Sequence, residues 1–129
     1  MHTKSIGLVW ITVKDLNQAV KFYTEVVGLK LLEQSEEWKW AELGGYGEEG
    51  GRLGIAQANQ NGKNPVEPGQ NAVMTFTVKN LDDAIDHLKK QGALLEGEVE
   101  VVPGHVKMQG LRDLAGNFIQ LVELISPQS

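Results

Sequence analysis

Cysteine is absent from this 129-residue sequence. The absence excludes disulfide bonds, thiolate metal ligands and a cysteine nucleophile together, and it is compatible with a reducing cytoplasm. The sequence also has no apolar run long enough to cross a bilayer, and its first residues lack the apolar core of a signal peptide. We therefore expect a cytoplasmic protein that does not act at a membrane.

Positive charge is scarce as well. The chain has 12 basic and 17 acidic residues, which give a net charge of −5. Binding to a nucleic acid needs enough basic side chains to neutralise several phosphates. The charge balance therefore argues against a nucleic-acid partner, and a small net charge of this kind is typical of a soluble domain.

The first half of the sequence is partly repeated in the second half. Residues 8–20, LVWITVKDLNQAV, recur as residues 73–85, VMTFTVKNLDDAI, with Thr, Val, Lys, Leu and Ala in the same register. The repeat predicts one domain built from two similar modules, residues 1–57 and 71–129, joined by the polar connection 58–70.

Both modules are predicted to have the element order βαβββ. Strands are expected at 7–13, 29–34, 36–43 and 52–57 in the first module, and at 73–78, 94–102, 105–112 and 118–124 in the second. Asp15 and Asn80 are predicted N-caps of the two helices, and Gly28 and Gly92 end them. The fold class is therefore α+β: two modules whose curved mixed sheets have one packed face and one face that borders a cleft.

Apolar residues spaced three and four apart mark the buried side of each helix. In the first helix they are Leu16, Ala19, Val20, Tyr23, Val26 and Val27; in the second they are Leu81, Ala84, Ile85 and Leu88. The first strand, apolar or β-branched throughout, is expected to be covered on both faces.

Three ordered motifs carry a resemblance to a known family. They are Val13-Lys14-Asp15-Leu16 with Ala19, Phe22-Tyr23 and Leu29; Val78-Lys79-Asn80-Leu81 with Ala84 and Gly92; and the closing 113–121 segment, DLAGNFIQL. Together they resemble the vicinal oxygen chelate superfamily of glyoxalase I, bleomycin resistance proteins, extradiol dioxygenases and fosfomycin resistance thiol transferases. Leu114 replaces the proline that this family usually has, but Gly116 and Asn117 should preserve the turn.

The resemblance implies where a divalent metal would be held. Family enzymes take their ligands from the first, fourth, fifth and eighth strands, which corresponds here to Leu8, Gly54, Val73 and Gln120. Only Gln120 has a donor atom, and one neutral carbonyl oxygen cannot replace the three or more ligands that a catalytic metal needs. We therefore expect no metal and no other cofactor.

Strand alternation predicts which side chains border the cleft. Trp38 and Trp40 share one face of the third strand, and that face could border the cleft or pack against the first helix. His105 could act in the cleft as an acid or base, or be a surface histidine beside a turn. The predicted ligand-binding residues are Leu8, Trp10, Thr12, Trp38, Trp40, Gly54, Val73, Thr75, Thr77, His105 and Gln120.

These observations favour a small-molecule binding protein of the bleomycin resistance kind, which holds a partly apolar ligand without a metal. The alternative is a glyoxalase-type lyase or isomerase, or a dioxygenase, with displaced metal ligands chosen from His105, Gln120, Glu42 and Glu123. A third interpretation is a domain that acts through protein contacts, because the family commonly forms homodimers. The sequence leaves open whether modules pair within one chain or between two chains.

Overall fold

Each half of the repeat forms its own four-stranded mixed sheet with one helix. The computed structural model describes residues 1–4, 6–47, 50–58, 67–70 and 72–125. By its internal contacts the chain divides into two compact units, Met1–Gln70 and Asn71–Ser129, called unit 1 and unit 2 below. Most of the predicted 58–70 connection lies outside the described residues.

Unit 1 consists of β1 (Leu8–Val13), α1 (Leu16–Lys21) followed by a π-helical segment (Phe22–Val26), β2 (Lys30–Ser35), β3 (Trp40–Gly44) and β4 (Arg52–Gln57). The strand order is β1-β4-β3-β2, with β1 parallel to β4 and the other pairs antiparallel.

Unit 2 repeats this topology with β5 (Val73–Thr77), α2 (Leu81–Lys90), β6 (Leu94–Val102), β7 (Val106–Arg112) and β8 (Phe118–Leu124). Its order is β5-β8-β7-β6, and β5 is parallel to β8. The α+β class and the two βαβββ modules predicted from the sequence are thus confirmed. In the described part of the chain α2 is the longest helix, with ten residues, and no helix there could span a bilayer.

The core of unit 1 lies between its sheet and its helix. Its buried side chains come from alternate strand positions and from the apolar stripe of the helix: Ile11, Val13, Leu16, Ala19, Phe22, Tyr23, Ala41, Leu43, Leu53 and Ile55. Alternation of this kind is expected where only one face of a sheet is packed. β1 is not covered on both faces along its length, because Val9 keeps 58% of its surface exposed.

The two helices begin as the sequence predicts. Asp15 accepts a hydrogen bond from the Gln18 amide at 2.9 Å, and Asn80 accepts one from the Asp83 amide at 2.9 Å. These side chains satisfy amide groups that have no partner inside the helix. Gly28 and Gly92 have positive φ angles of 93° and 74°, which suit glycine at a helix end.

The first helix departs from the predicted stripe after one and a half turns. The Val27 amide donates to the Phe22 carbonyl, five residues back, at 3.1 Å, and the chain is π-helical there. The wider turn shifts the periodicity, so that the neighbours Phe22 and Tyr23 are both buried whereas Val26 is only half-buried. The predicted stripe contained Tyr23 but not Phe22, and it placed Val26 and Val27 on the buried side, where both are only half-buried.

A long-range cap is repeated in both units. The Leu16 amide donates to Gln57 Oε1 at 3.0 Å, and the Leu81 amide donates to Glu123 Oε1 at 2.7 Å. Gln57 lies at the end of β4 and Glu123 near the end of β8, so the last strand of each unit supplies an acceptor to the first turn of that unit's helix.

Candidate functional site

The sheet of unit 1 has one face covered by α1 and one face that the helix does not cover. We call the second the open face of unit 1. Register and alternation place on it Leu8, Trp10 and Thr12 of β1, Arg52, Gly54 and Ala56 of β4, Trp40 and Glu42 of β3, and Glu33 of β2. Thr12 is buried on this face, with 1% of its surface exposed, whereas Trp10 exposes 38%.

Two tryptophans meet on the open face above a glycine. The Trp10 and Trp40 rings are 6.0 Å apart between centroids and inclined by 67°, an edge-to-face arrangement. A Cβ atom at Gly54 would lie 2.5 Å from Cη2 of Trp40 and 2.9 Å from Cβ of Trp10. Only a glycine allows the Trp40 indole and the Cβ of Trp10 to approach the strand this closely. We call Trp10, Trp40 and Gly54 the indole corner.

A charged cluster borders the indole corner. Glu42 accepts hydrogen bonds from Nε1 of Trp40 at 3.0 Å and from Nη1 of Arg52 at 2.7 Å, and the same Nη1 donates to Glu33 at 3.2 Å. The Arg52 hydrogen bond, helped by the Trp40 bond, lowers the pKa of Glu42, and Glu42 in turn raises the pKa of Arg52. Glu42 therefore carries its negative charge throughout the neutral range.

The structure corrects the prediction for Trp38. Residues 36–39 form the turn between β2 and β3, where Lys39 has a positive φ of 49° and its ammonium pairs with Glu36 at 2.9 Å. Strand β3 therefore begins at Trp40 and not at Glu36. Trp38 exposes 75% of its surface in the turn and does not share a strand face with Trp40.

The positions of unit 1 that correspond to metal ligands do not fit a metal. Leu8 has no donor atom, and Gly54 is buried against the Trp40 indole. Shifting the alignment by two residues along β4 would make Arg52 or Ala56 the residue that corresponds to the ligand, and neither is a metal ligand. A shift by one residue would make Leu53 or Ile55 the corresponding residue, and both are buried apolar side chains without a donor atom.

The open face of unit 2, opposite the buried core residues Met74, Leu111, Ile119 and Leu121, has a different composition. Register places on it Val73, Thr75, Thr77, Glu96, Gly110, Arg112, Phe118 and Gln120. Thr75 Oγ1 and Gln120 Oε1 are 3.4 Å apart, and Val73 is 61% exposed. Hydroxyl and amide groups here can supply hydrogen bonds to a ligand but hold a metal poorly.

An arginine and an aromatic ring also meet in unit 2. The Arg112 guanidinium lies 4.8 Å from the Phe118 ring centroid and makes two bonds to the Glu96 carboxylate, at 2.8 and 3.0 Å. The hydrogen bond from Arg112 lowers the pKa of Glu96. Gly110 lies under the Phe118 ring, and a Cβ there would meet Cε1 and Cζ of Phe118 at 2.9 Å.

Two of the candidate displaced ligands, Glu42 and Glu123, are already held by neighbouring groups of their own unit. Glu123 is bonded to the start of α2 and lies 3.8 Å from Lys107, and Glu42 is held by Arg52 and Trp40. Within the described ranges, no three His, Asp or Glu side chains form a group that could hold a metal ion.

His105 does not open β7 as predicted. It is an exposed turn residue, and β7 begins at Val106. Its backbone amide donates to the Val102 carbonyl at 2.9 Å, and its carbonyl accepts from the Ile125 amide at 2.9 Å. These bonds tie the turn to the end of β8, which is a structural role for the backbone of His105.

Sequence reasoning missed the charged cluster of Glu33, Glu42 and Arg52. The available signal was the spacing of two between Trp40 and Glu42 and between Arg52 and Gly54, which places each charge on the same face as an indole-corner residue. The pairing of the three strands, which brings the charges together, is not encoded in that spacing.

Comparisons with known proteins agree with this fold. The chain aligns over 96% of its length, with a TM-score of 0.79 and 21% identity, with 98% of TnmS3, an antibiotic binding protein from Streptomyces sp. CB03234. It aligns over 94% of its length, with a TM-score of 0.76 and 18% identity, with 98% of a glyoxalase/bleomycin resistance protein/dioxygenase superfamily member from Sphaerobacter thermophilus.

An integron cassette protein of Vibrio cholerae gives a TM-score of 0.72 at 23% identity, with 95% of this chain and 97% of that chain covered. At these identities the similarity shows the fold alone. No functionally curated protein matches the chain significantly. The family model of the Glyoxalase/Bleomycin resistance protein/Dioxygenase superfamily matches residues 5–121. With the two βαβββ modules and their ordered motifs, this match shows that the chain belongs to the glyoxalase/bleomycin resistance protein/dioxygenase superfamily.

Proposed function

We propose that the protein binds a small, partly apolar molecule on the open face of unit 1, without a metal. The observation that carries the proposal is the indole corner, because Trp10 and Trp40 lie beside Gly54, where family enzymes hold a metal ligand. Two aromatic rings replace the donor atoms that a metal would need.

The exposure of the indoles supports binding by shape. Trp10 exposes 38% of its surface and Trp40 is half-buried. Covering an exposed indole with a flat ligand removes apolar surface from water at about 25 cal/mol per Å² and adds stacking of roughly 0.5–1.5 kcal/mol. Polar groups at the border of the corner would set the orientation of the ligand.

The antibiotic-binding role of TnmS3 gives this proposal a precedent on the same fold. A fold hosts many functions, so the precedent supports a class of activity and not a particular ligand. On the open face of unit 2 itself, Thr75, Thr77 and Gln120 are proposed as hydrogen-bonding groups for a small molecule bound at that face.

The test is a thermal-shift screen of planar, partly apolar small molecules, followed by isothermal titration of each hit. Trp10→Ala should weaken binding about tenfold, which corresponds to about 1.4 kcal/mol. Trp38→Ala is the matched control: it removes an equally large side chain from the exposed turn and should leave the affinity unchanged. Equal effects of the two substitutions would contradict the proposal.

A second titration separates binding from metal-dependent catalysis. Chelator-treated protein is titrated with Mn²⁺, Ni²⁺ and Zn²⁺ at neutral pH, and we expect no stoichiometric binding. Tight binding of one ion per chain would favour the glyoxalase-type or dioxygenase alternative. The homodimer and the cytoplasmic location stay predictions, and light scattering would test the first.

A further inference from the structure

We propose further that the ligand is a planar aromatic cation, held at the indole corner with its positive charge near Glu33 and Glu42. This inference rests on the proposed function and adds the chemical class of the ligand. It is carried by the charges that surround the two indoles.

The geometry of the indole corner is the reason to expect a planar ligand. Because the rings of Trp10 and Trp40 meet at 67°, a planar molecule can lie against one indole face while its edge meets the other ring. The face of an indole ring has negative partial charge, so a cation stacked on it is attracted more strongly than a neutral ring of the same shape.

The charged cluster beside the indole corner is the reason to expect a positively charged ligand. Two carboxylates, Glu33 and Glu42, share one Nη1 group of Arg52, so the three side chains together carry a net charge of −1. The Glu33 side chain is 61% exposed and accessible to a ligand, whereas the Glu42 side chain is 14% exposed. The net charge of the whole chain, −5, has the same sign.

The basic residues on the four strands of unit 1 are Lys30 and Arg52, and both already have partners. Arg52 is bonded to both carboxylates, although 48% of its side chain is exposed. The Lys30 ammonium, at the start of β2, lies over the Tyr46 ring at 5.4 Å from its centroid. An anionic ligand would meet Arg52 only in competition with Glu33 and Glu42.

Three planar three-ring probes of different charge test the inference: 9-aminoacridine as the cation, acridone as the neutral molecule and 9-anthracenecarboxylate as the anion. Their affinities are measured by equilibrium dialysis against the full-length protein at neutral pH. We expect the cation to bind at least fivefold more tightly than the neutral probe, and the anion to bind most weakly.

Glu33→Gln should reduce the preference for the cation by about threefold, since partly exposed charge pairs contribute modestly. Glu36→Gln is the matched control, because it removes the same charge from a carboxylate that pairs with Lys39 and is not part of the charged cluster. Raising the salt concentration should lower the affinity for the cationic probe and leave the affinity for the neutral probe nearly unchanged.

The outcomes separate this inference from the proposed function. If all three probes bind equally and Trp10→Ala weakens them all, the indole corner binds ligands but the charge preference is wrong. If the anion binds most tightly, Arg52 is the recognition group and the inference is overturned. If no probe binds and no hit from the screen responds to Trp10→Ala, both proposals fail.

Discussion

The Trp40 indole lies so close to Gly54 that the Cβ of any other residue there would come within 2.5 Å of Cη2. The two residues are on adjacent strands, and Trp40 also donates to Glu42 at 3.0 Å, which fixes the ring. The ring therefore cannot move aside without losing a hydrogen bond.

Gly54→Ala should destabilise the protein by about 1–3 kcal/mol, the usual cost of inserting a group into a packed site. Chemical denaturation of both proteins measures the difference. Gly7→Ala is the control, because among the described residues no heavy atom beyond its two sequence neighbours lies within 4 Å of a Cβ at that position. Adding Trp40→Ala should recover part of the loss at position 54, and a fully additive double variant would contradict the proposed clash.

Glu42→Gln should make the stability of the protein less sensitive to acid. Arg52 lowers the pKa of Glu42 below its ordinary value of 4.5 in the folded protein. The resulting stabilisation is present above the ordinary pKa and is lost as the pH falls through the folded pKa. Denaturation midpoints at pH 7, 4.5 and 3 should show Glu42→Gln less stable than the wild type at pH 7, with a smaller difference at pH 3. A constant difference at all three pH values would contradict this account.

Glu123→Ala should lower the free energy of unfolding by about 1–2 kcal/mol, because it leaves the buried Leu81 amide without its acceptor at the start of α2. Glu123→Gln should cost much less, since Gln57 makes the equivalent bond with a neutral amide in unit 1. Thermal unfolding of the two variants decides between a capping role and a role of the negative charge. Equal losses in both variants would point to the charge.

Leu114→Pro should leave the stability unchanged or raise it by up to about 1 kcal/mol. The Gly116 amide donates to the Asp113 carbonyl at 3.2 Å, which makes Leu114 the second residue of a four-residue turn, a position that proline favours. The Asp113 carboxylate bonds the Ala115 and Asn117 amides and does not depend on Leu114. A drop in the melting temperature of several degrees would show that Leu114, 63% exposed in this structure, has a contact in solution.

The sequence predicts the regular parts of this fold well because its signals are local and occur twice. The bounds of β4, β6 and β8 agree with the prediction residue for residue, and both N-caps are in place. Each of these elements combines an alternating or apolar run with a turn or capping residue next to it.

The departures occur where the conformation has no local signal. Residues 36–39, Glu-Glu-Trp-Lys, contain no glycine, proline or asparagine, yet they form a turn with Lys39 at positive φ. The spacing of two between Trp38 and Trp40 is typical of a strand, although Trp38 lies in the turn. The charged cluster of Glu33, Glu42 and Arg52 depends on the pairing of three strands. This pairing includes a register shift between Leu31 and Glu33 in β2. Such a shift changes which side chains share a face, and the sequence pattern does not reveal it.

The hydrogen bonds that the Leu16 amide donates to Gln57 and the Leu81 amide donates to Glu123 tie the helix of each unit to its final strand. A fragment cut before β4 or β8 would keep the helix sequence but lose the acceptor for its first turn. The shortest segment that contains both the capped helix and its acceptor therefore runs from the helix to the last strand, which is nearly the whole βαβββ unit.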